Sequence, residues 1–276
     1  MTMAAPGKVV FIGAGPGAAD LITVRGARWL ARADVVLFDA LTDPALRELA
    51  PKARWINVGK RGFADSTGQS TINALLIKHA QEHAVVVRLK GGDPSIFGRL
   101  EEELLALAEA GVDSEVVPGV TAAIAAAAGT QRPLTRRGSG RSVSLTTAMT
   151  ADGLQAARSA DTEVFYMAGK QLAALSRRLI AAGWPADTPA CVVSRAGWPD
   201  QLASDHVAAS LSQASVLHSG RPTVVTVGAG ARRVAPETPS ATDRKIDPLA
   251  EALRPAAEPV HRGSRGTDTE PLRAHT

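Results

Sequence analysis

The chain is poor in features that often advertise a function. Cys191 is the single cysteine among 276 residues. One thiol excludes an intrachain disulfide and any structural zinc site built on several thiolates, and it suits a reducing compartment. Followed by Val192 and Val193, it is expected to be a small buried hydrophobe rather than a nucleophile. Aromatic residues make up 4%, which argues against an aromatic-rich β-sandwich. No stretch of eighteen apolar residues is present, so no helical membrane span is expected. The opening residues MTMAAPGK lack the apolar segment of a secretory leader. The expected location is the cytoplasm. Neither sign of charge dominates: 31 Lys and Arg stand against 27 Asp and Glu, a net charge of +4. With no basic block, no zinc-finger spacing and no interleaved aromatics, a noncatalytic nucleic-acid-binding module is a remote alternative and no nucleic-acid partner is expected. A small polyanion suits a mild positive excess.

What is present points to an α/β enzyme. Short apolar runs alternate with helical periodicity. Strands are expected at Lys8–Ile12, Asp34–Asp39, Arg54–Val58, Ala84–Leu89 and Ser114–Val117, and helices at Val24–Ala33, Pro44–Leu49, Gln69–Glu82, Glu101–Ala110 and the alanine-rich Thr121–Ala128. His79 falls in the third of these as a packing or surface residue, and no metal is expected. A second α/β unit follows, with strands at Ser142–Thr147, Glu163–Met167, Ala190–Ser194 and Pro222–Val227 and helices at Lys170–Ala182 and His206–Gln213. The expected boundaries are an N-terminal domain over 8–130, a basic linker over 131–141, a C-terminal domain over 142–230, and a Pro-, Ala- and charge-rich tail over 231–276 read as disordered.

The first strand runs into Gly13-Ala14-Gly15-Pro16-Gly17. Glycines there let backbone approach a ligand, as in a dinucleotide fold, and Asp39 at the end of the second strand could hold a ribose. An NAD(P)- or flavin-dependent oxidoreductase is therefore one reading. Two features weigh against it. The last glycine of Gly-x-Gly-x-x-Gly falls on Ala18, and Pro16 removes an amide from the loop that would cradle a pyrophosphate.

Five further segments carry a resemblance. VVFIGAGPGAADLITVRGARWLARADVVLFD, NVGKR (Asn57–Arg61), VVRLKGGDPSIFGR (Val86–Arg99), EVVPGVTAAIAAAAG (Glu115–Gly129) and PLTRRG (Pro133–Gly138) resemble, in this order, the motifs of the tetrapyrrole methylases. The match spans about Lys8 to Val227. The basic PLTRRG motif is similar to that of the branch that C-methylates uroporphyrinogen III. Leu100 and Glu101 stand where the family often has glycines, Arg136 where it often has His, Thr146-Thr147-Ala148-Met149 where it has a Thr-Gly-His-like segment, and Ala196 where it has Gly.

The resemblance implies two α/β domains with the active site in the cleft between them, and a homodimer. It implies S-adenosyl-L-methionine as methyl donor and methylation of uroporphyrinogen III at C2 and C7 to precorrin-2. A methyltransferase acting on a later corrin precursor is the nearest alternative. Cofactor contacts are implied at Pro16, Gly91, Gly92, Asp93, Ile96, Thr121, Ala122, Met167 and Ala196. Asp39 and Lys60 align with a proton-handling pair. The substrate's eight carboxylates call for basic partners, and Arg61, Arg88, Arg99, Arg132, Arg136, Arg137 and Arg141 are the candidates, since arginine holds a carboxylate in a bidentate fork.

Overall fold

A computed structural model of the chain describes residues 6–59, 68–149 and 158–234. Lys60, Arg61 and the tail from residue 235 onward lie outside the described residues. The described residues up to Val234 belong to one compact unit. Ala231 is buried, and its carbonyl accepts a hydrogen bond from Arg132 Nη1 at 3.0 Å.

Two five-stranded sheets organise the unit. The first holds β1 (Lys8–Gly13), β2 (Val35–Phe38), β3 (Arg54–Asn57), β4 (Val85–Lys90) and β5 (Ser114–Val117) in the order β3-β2-β4-β1-β5, all parallel. The inner strands β1, β2 and the start of β4 read as apolar runs because both faces are covered, while the edge strands β3 (RWIN) and β5 (SEVV) carry polar residues. In β1, Val9 and Phe11 pack into one core with Ile72, Leu76 and Leu107, from α2 (Gln69–Glu82) and α3 (Leu100–Glu109). Val10 and Ile12 point the opposite way, into a core with Leu30 of α1 (Val24–Leu30) and Leu46. Thr23 caps α1, its hydroxyl accepting from Gly26 N at 3.1 Å.

The second sheet is mixed. It holds β6 (Val143–Thr147), β7 (Thr162–Tyr166), β8 (Pro189–Ser194), β9 (Leu202–Val207) and β10 (Thr223–Gly228) in the order β6-β7-β10-β8-β9. The β6–β7 pair is parallel, and the other three pairs are antiparallel. β9 corrects the sequence reading, which placed His206 and Val207 at the start of a helix. LASDHV is a polar edge strand with no buried residue, so it lacks the apolar run that marks a core strand. The helical turn that follows is a 3-10 segment over Ala208–Ala214.

One helix joins the two layers. α4 (Ala122–Gly129) leaves the end of β5 but packs on the second sheet: Ala123 meets Val164, Tyr166 and Val224, while Ala125 and Ala126 meet Cys191, Val193 and Ala196. Its alanines let the helix lie close to that sheet. The other face of the sheet is covered by α5 (Leu172–Ala181), whose Leu172, Leu175 and Leu179 are buried beside Phe165, Val192 and Val225.

The strand ends of the first sheet meet backbone on backbone. A Cβ on Gly119 would lie 2.3 Å from Gly92 O and 2.7 Å from Gly13 Cα, and one on Gly13 would lie 2.5 Å from Gly119 Cα. The blocking atoms are main chain, so no side-chain rotation relieves a substitution. Gly119→Ala is therefore expected to cost roughly 1–3 kcal/mol of stability, as other overpacked sites do. Urea denaturation measures it, and a loss below about 0.5 kcal/mol would show that the loops have room.

Candidate active site

The carboxyl ends of open α/β strands are where ligands bind, and a cavity lies there. It encloses about 740 Å³ of space, part of it open to solvent. Pro16 follows β1, Leu41 follows β2, Gly91 to Ile96 follow β4, and Thr121 and Ala122 follow β5. The second sheet supplies Met167 after β7 and Ala196 after β8. β10 runs antiparallel to these two strands, so its opening residues Thr223 and Val224 arrive at the same end.

All nine residues expected to contact a cofactor line this one cavity. Asp93 closes its own loop: Oδ1 accepts from Ser95 N and Oδ2 from Gly119 N, each at 2.8 Å. Thr121 does not cap α4 with its side chain. Its Oγ1 instead meets the Tyr166 hydroxyl at 2.8 Å. Burial pushes the Tyr166 phenol up, against the opposing bond to Thr121.

Leu41, Tyr166, Arg195, Trp198, Pro222, Thr223 and Val224 also line the cavity and were not foreseen. The strand-end rule applied to β2, β7, β8 and β10 could have found them, and Gly197 marks the turn that carries Arg195 and Trp198. Arg195 is held by Asp200 at 2.7 Å and stacks over Trp198 at 4.2 Å.

The loop after β1 is not a phosphate cradle. Ala14 N donates to Lys90 O (2.8 Å), Gly15 N to Gly92 O (3.3 Å) and Ala18 N to Gly197 O (2.8 Å). Pro16 has no amide to give, and its carbonyl accepts from Trp198 Nε1 at 3.0 Å. The next element is a 3-10 turn, Ala19–Leu21, and α1 begins only at Val24. A dinucleotide loop needs free amides at a helix N-terminus, and this one has spent those of Ala14, Gly15 and Ala18 on protein carbonyls.

A second cavity adjoins the first through Leu41, which lines both. Asp39, Gly59, Arg88, Lys90, Phe97 and Arg99 are in its wall. Beneath it lies a buried charge network. Glu103, fully buried, accepts from Arg88 Nε at 3.0 Å and Lys90 Nζ at 2.6 Å, while Arg88 Nη2 also reaches Asp39 at 2.6 Å. Burial opposes the Arg88 charge, but the Asp39 and Glu103 carboxylates hold it above the ordinary guanidinium value. Burial, then the nearby Arg88 charge, pushes Lys90 below the usual lysine range. Five described non-glycine residues have positive φ, and four of them (Phe97, Arg99, Met167 and Arg195) stand in the walls of these two cavities. Such strain collects where surrounding structure imposes a site.

The arginines expected to meet substrate are not gathered in one place. Arg88 is 3% exposed and committed to Asp39, Glu103 and two backbone carbonyls. Arg132 is also buried and pairs with Asp205 at 2.5 Å. Arg136 donates to the carbonyls of Ala229, at 2.8 Å, and Arg232. Arg137 and Arg141 are exposed. Arg99 is at the second cavity, in a bidentate pair with Glu102 at 2.6 and 2.7 Å. Arg132 and Arg136 thus tie the linker to β9 and to the chain after β10 rather than joining Arg137 and Arg141 in a single cluster, because guanidinium groups drawn into the fold must find partners there.

Comparison with known proteins adds the following. The family model of Tetrapyrrole (Corrin/Porphyrin) Methylases matches residues 8–214. A uroporphyrinogen-III C-methyltransferase of Pseudomonas aeruginosa is 46% identical over 195 residues, covering 69% of this chain and 80% of that one. A uroporphyrin-III C-methyltransferase of Thermus thermophilus, solved with S-adenosylhomocysteine, superposes with a TM-score of 0.70 at 33% identity, covering 80% of this chain and 97% of that one. A cobalt precorrin-4 methyltransferase of cobalamin biosynthesis superposes with a TM-score of 0.72 at 29% identity, covering 82% and 96%.

The charge network is testable without knowing the ligand. Glu103→Gln leaves Arg88 and Lys90 without their shared carboxylate, and breaking a buried pair costs about 3–5 kcal/mol. Chemical denaturation should show a loss of that order, whereas a change under about 1 kcal/mol would mean that Asp39 and solvent suffice.

Proposed function

The chain belongs to the tetrapyrrole methylase family, and we propose that it methylates uroporphyrinogen III at C2 and C7 with S-adenosyl-L-methionine, giving precorrin-2. The observation that carries the methyl-donor part is that all nine residues implied by the family resemblance line one cavity. The 46% identity to the Pseudomonas aeruginosa enzyme supports the choice of substrate. The precorrin-4 methyltransferase likeness keeps a later corrin precursor as the competing substrate.

The cavity suits such a donor on its own chemistry. It is lined mainly by apolar side chains and by backbone at Gly91 and Gly92, where no side chain blocks approach. Asp93, Thr121 and Tyr166 bring polar atoms for the amino-acid and ribose groups. The donor supplies an activated methyl and its own leaving group, so alignment is the main demand on the protein. Pro16, Ile96, Ala122, Met167 and Ala196 would hold the donor. The tetrapyrrole would enter from the adjoining cavity, where Leu41 lies between the two and Arg99 offers its guanidinium to a carboxylate in exchange for Glu102.

Ring methylation leaves a proton to be removed. Asp39 stands in the wall of the second cavity, held by Arg88, and Lys60 follows Gly59 of the same wall in sequence. These two are assigned to proton handling. Among the described residues no helix is long and apolar enough to cross a membrane. A homodimer is part of the same proposal, and sedimentation at micromolar concentration should report twice the chain mass.

Anaerobic incubation with uroporphyrinogen III and S-adenosylmethionine tests the reaction, with product mass as the readout. A gain of two methyl groups on uroporphyrinogen III is expected, falling by at least about tenfold in rate for Asp39→Asn if Asp39 moves the proton. Methylation of a precorrin-4 analogue but not of uroporphyrinogen III would assign the later step instead.

A further inference from the structure

The last turn of α2 carries a second group of ligand-type side chains. It reads His79-Ala80-Gln81-Glu82-His83: His79 and Glu82 stand three apart on one helix face, and His83 follows as the C-cap with extended backbone. Their nearest ligand atoms lie within 4.8 Å of one another. His79 Nδ1 is 3.7 Å from Glu82 Oε2. That is too long for a hydrogen bond, but near the spacing of two donors on one ion, about 3.3 Å for bonds of about 2.0–2.1 Å. The His79 and His83 rings have centroids 5.7 Å apart.

An independent observation points to a ligand. His79 is 3% exposed, and its Nδ1 has no hydrogen-bond partner. A buried polar atom left unpaired is costly. The turn also lies at the negative end of the helix dipole, which favours a cation.

We infer that His79, Glu82 and His83 bind one divalent transition-metal ion of the zinc class. Two imidazoles and one carboxylate select Zn²⁺, Ni²⁺ or Cu²⁺ over Mg²⁺ and Ca²⁺, which prefer all-oxygen sets. Glu82 is exposed and His83 half-buried, so the remaining coordination positions open to water. Arg54 and Lys78 lie near His79 and oppose a dication, which keeps the affinity modest.

The ion would not take part in methyl transfer. The site adjoins the start of β4, and the cavities lie past Lys90 at its other end, six residues or about 20 Å away. Its place suits a structural clamp. Here Gly7 N donates to Ala80 O at 2.6 Å and Lys8 N to Ala84 O at 2.9 Å, tying α2 and the chain into β4 to the start of β1.

The full chain, stripped with chelator, would be titrated with Zn²⁺ by calorimetry and with Co²⁺ by visible absorption. One equivalent should bind, with Co²⁺ giving ligand-field bands and Zn²⁺ raising the melting temperature. His83→Ala should weaken binding by at least about tenfold and remove the thermal shift, while leaving metal-free methyl transfer unchanged. Glu82→Gln, at an exposed position that cannot endanger folding, should weaken binding to a smaller degree. Absence of saturable binding would overturn the inference. So would binding that survives both substitutions, which would place the ion elsewhere in the chain.

Discussion

Three glycines at the ends of three strands meet backbone on backbone, and two of them admit no side chain. Gly13 ends β1, Gly92 follows β4 and Gly119 follows β5; a Cβ on Gly13 or Gly119 would collide with main-chain atoms, the Gly92 carbonyl among them, while Gly92 itself turns at positive φ. This contact fixes how closely the strand-end loops converge. Gly15 and Gly92 exchange hydrogen bonds across it, with N···O distances of 2.7 and 3.3 Å. Asp93 then reaches Gly119 N at 2.8 Å, and the chain leaving Gly119 is aimed so that α4 lands on the second sheet. The cavity is what remains between these loops and the ends of β7 and β8.

Charge supports the same end of the sheet from below. β4 alternates Val86, Arg88 and Lys90 on one face with Val87 and Leu89 on the other, so its two cations enter an otherwise apolar layer. Glu103 of α3 neutralises them from within that layer, and Arg88 carries the network outward to Asp39. A buried network of this kind gives little net stability against an apolar replacement. Its effect is positional: it holds Asp39 and Lys90 in the wall of the second cavity. It also commits most of the Arg88 guanidinium to partners within the fold.

Much of this was legible in the sequence, and the limits have physical causes. The parallel strands were visible because burial on both faces leaves uninterrupted apolar runs such as KVVFI and VVLF. The edge strand Leu202–Val207 was not, because an edge strand with a solvated face has no such run. The cavity lining from glycine-marked loops was legible, since Gly91, Gly92 and their neighbours advertise close backbone approach. Tyr166, Arg195 and Trp198 enter the cavity through long-range packing, which local pattern does not encode. The arginines show the same limit from the other side. A basic run in PLTRRG suggests an anion, but sequence does not reveal that Asp205 and the carbonyls of Ala229, Ala231 and Arg232 take up Arg132 and Arg136. His79 looked like a packing residue, and it is buried as one, yet its unpaired nitrogen became visible only in the folded chain.

The account turns on the cavity between the strand ends being the place where an S-adenosyl group is held. Calorimetric titration with S-adenosylhomocysteine, beside NADH, tests this most directly, using the parent chain and an Ala122→Phe variant that fills the cavity. The account predicts saturable one-to-one binding of S-adenosylhomocysteine to the parent, loss of at least about tenfold in affinity in the variant, and no binding of NADH. Saturable NADH binding without S-adenosylhomocysteine binding, or undiminished S-adenosylhomocysteine affinity in a folded Ala122→Phe variant, would contradict it.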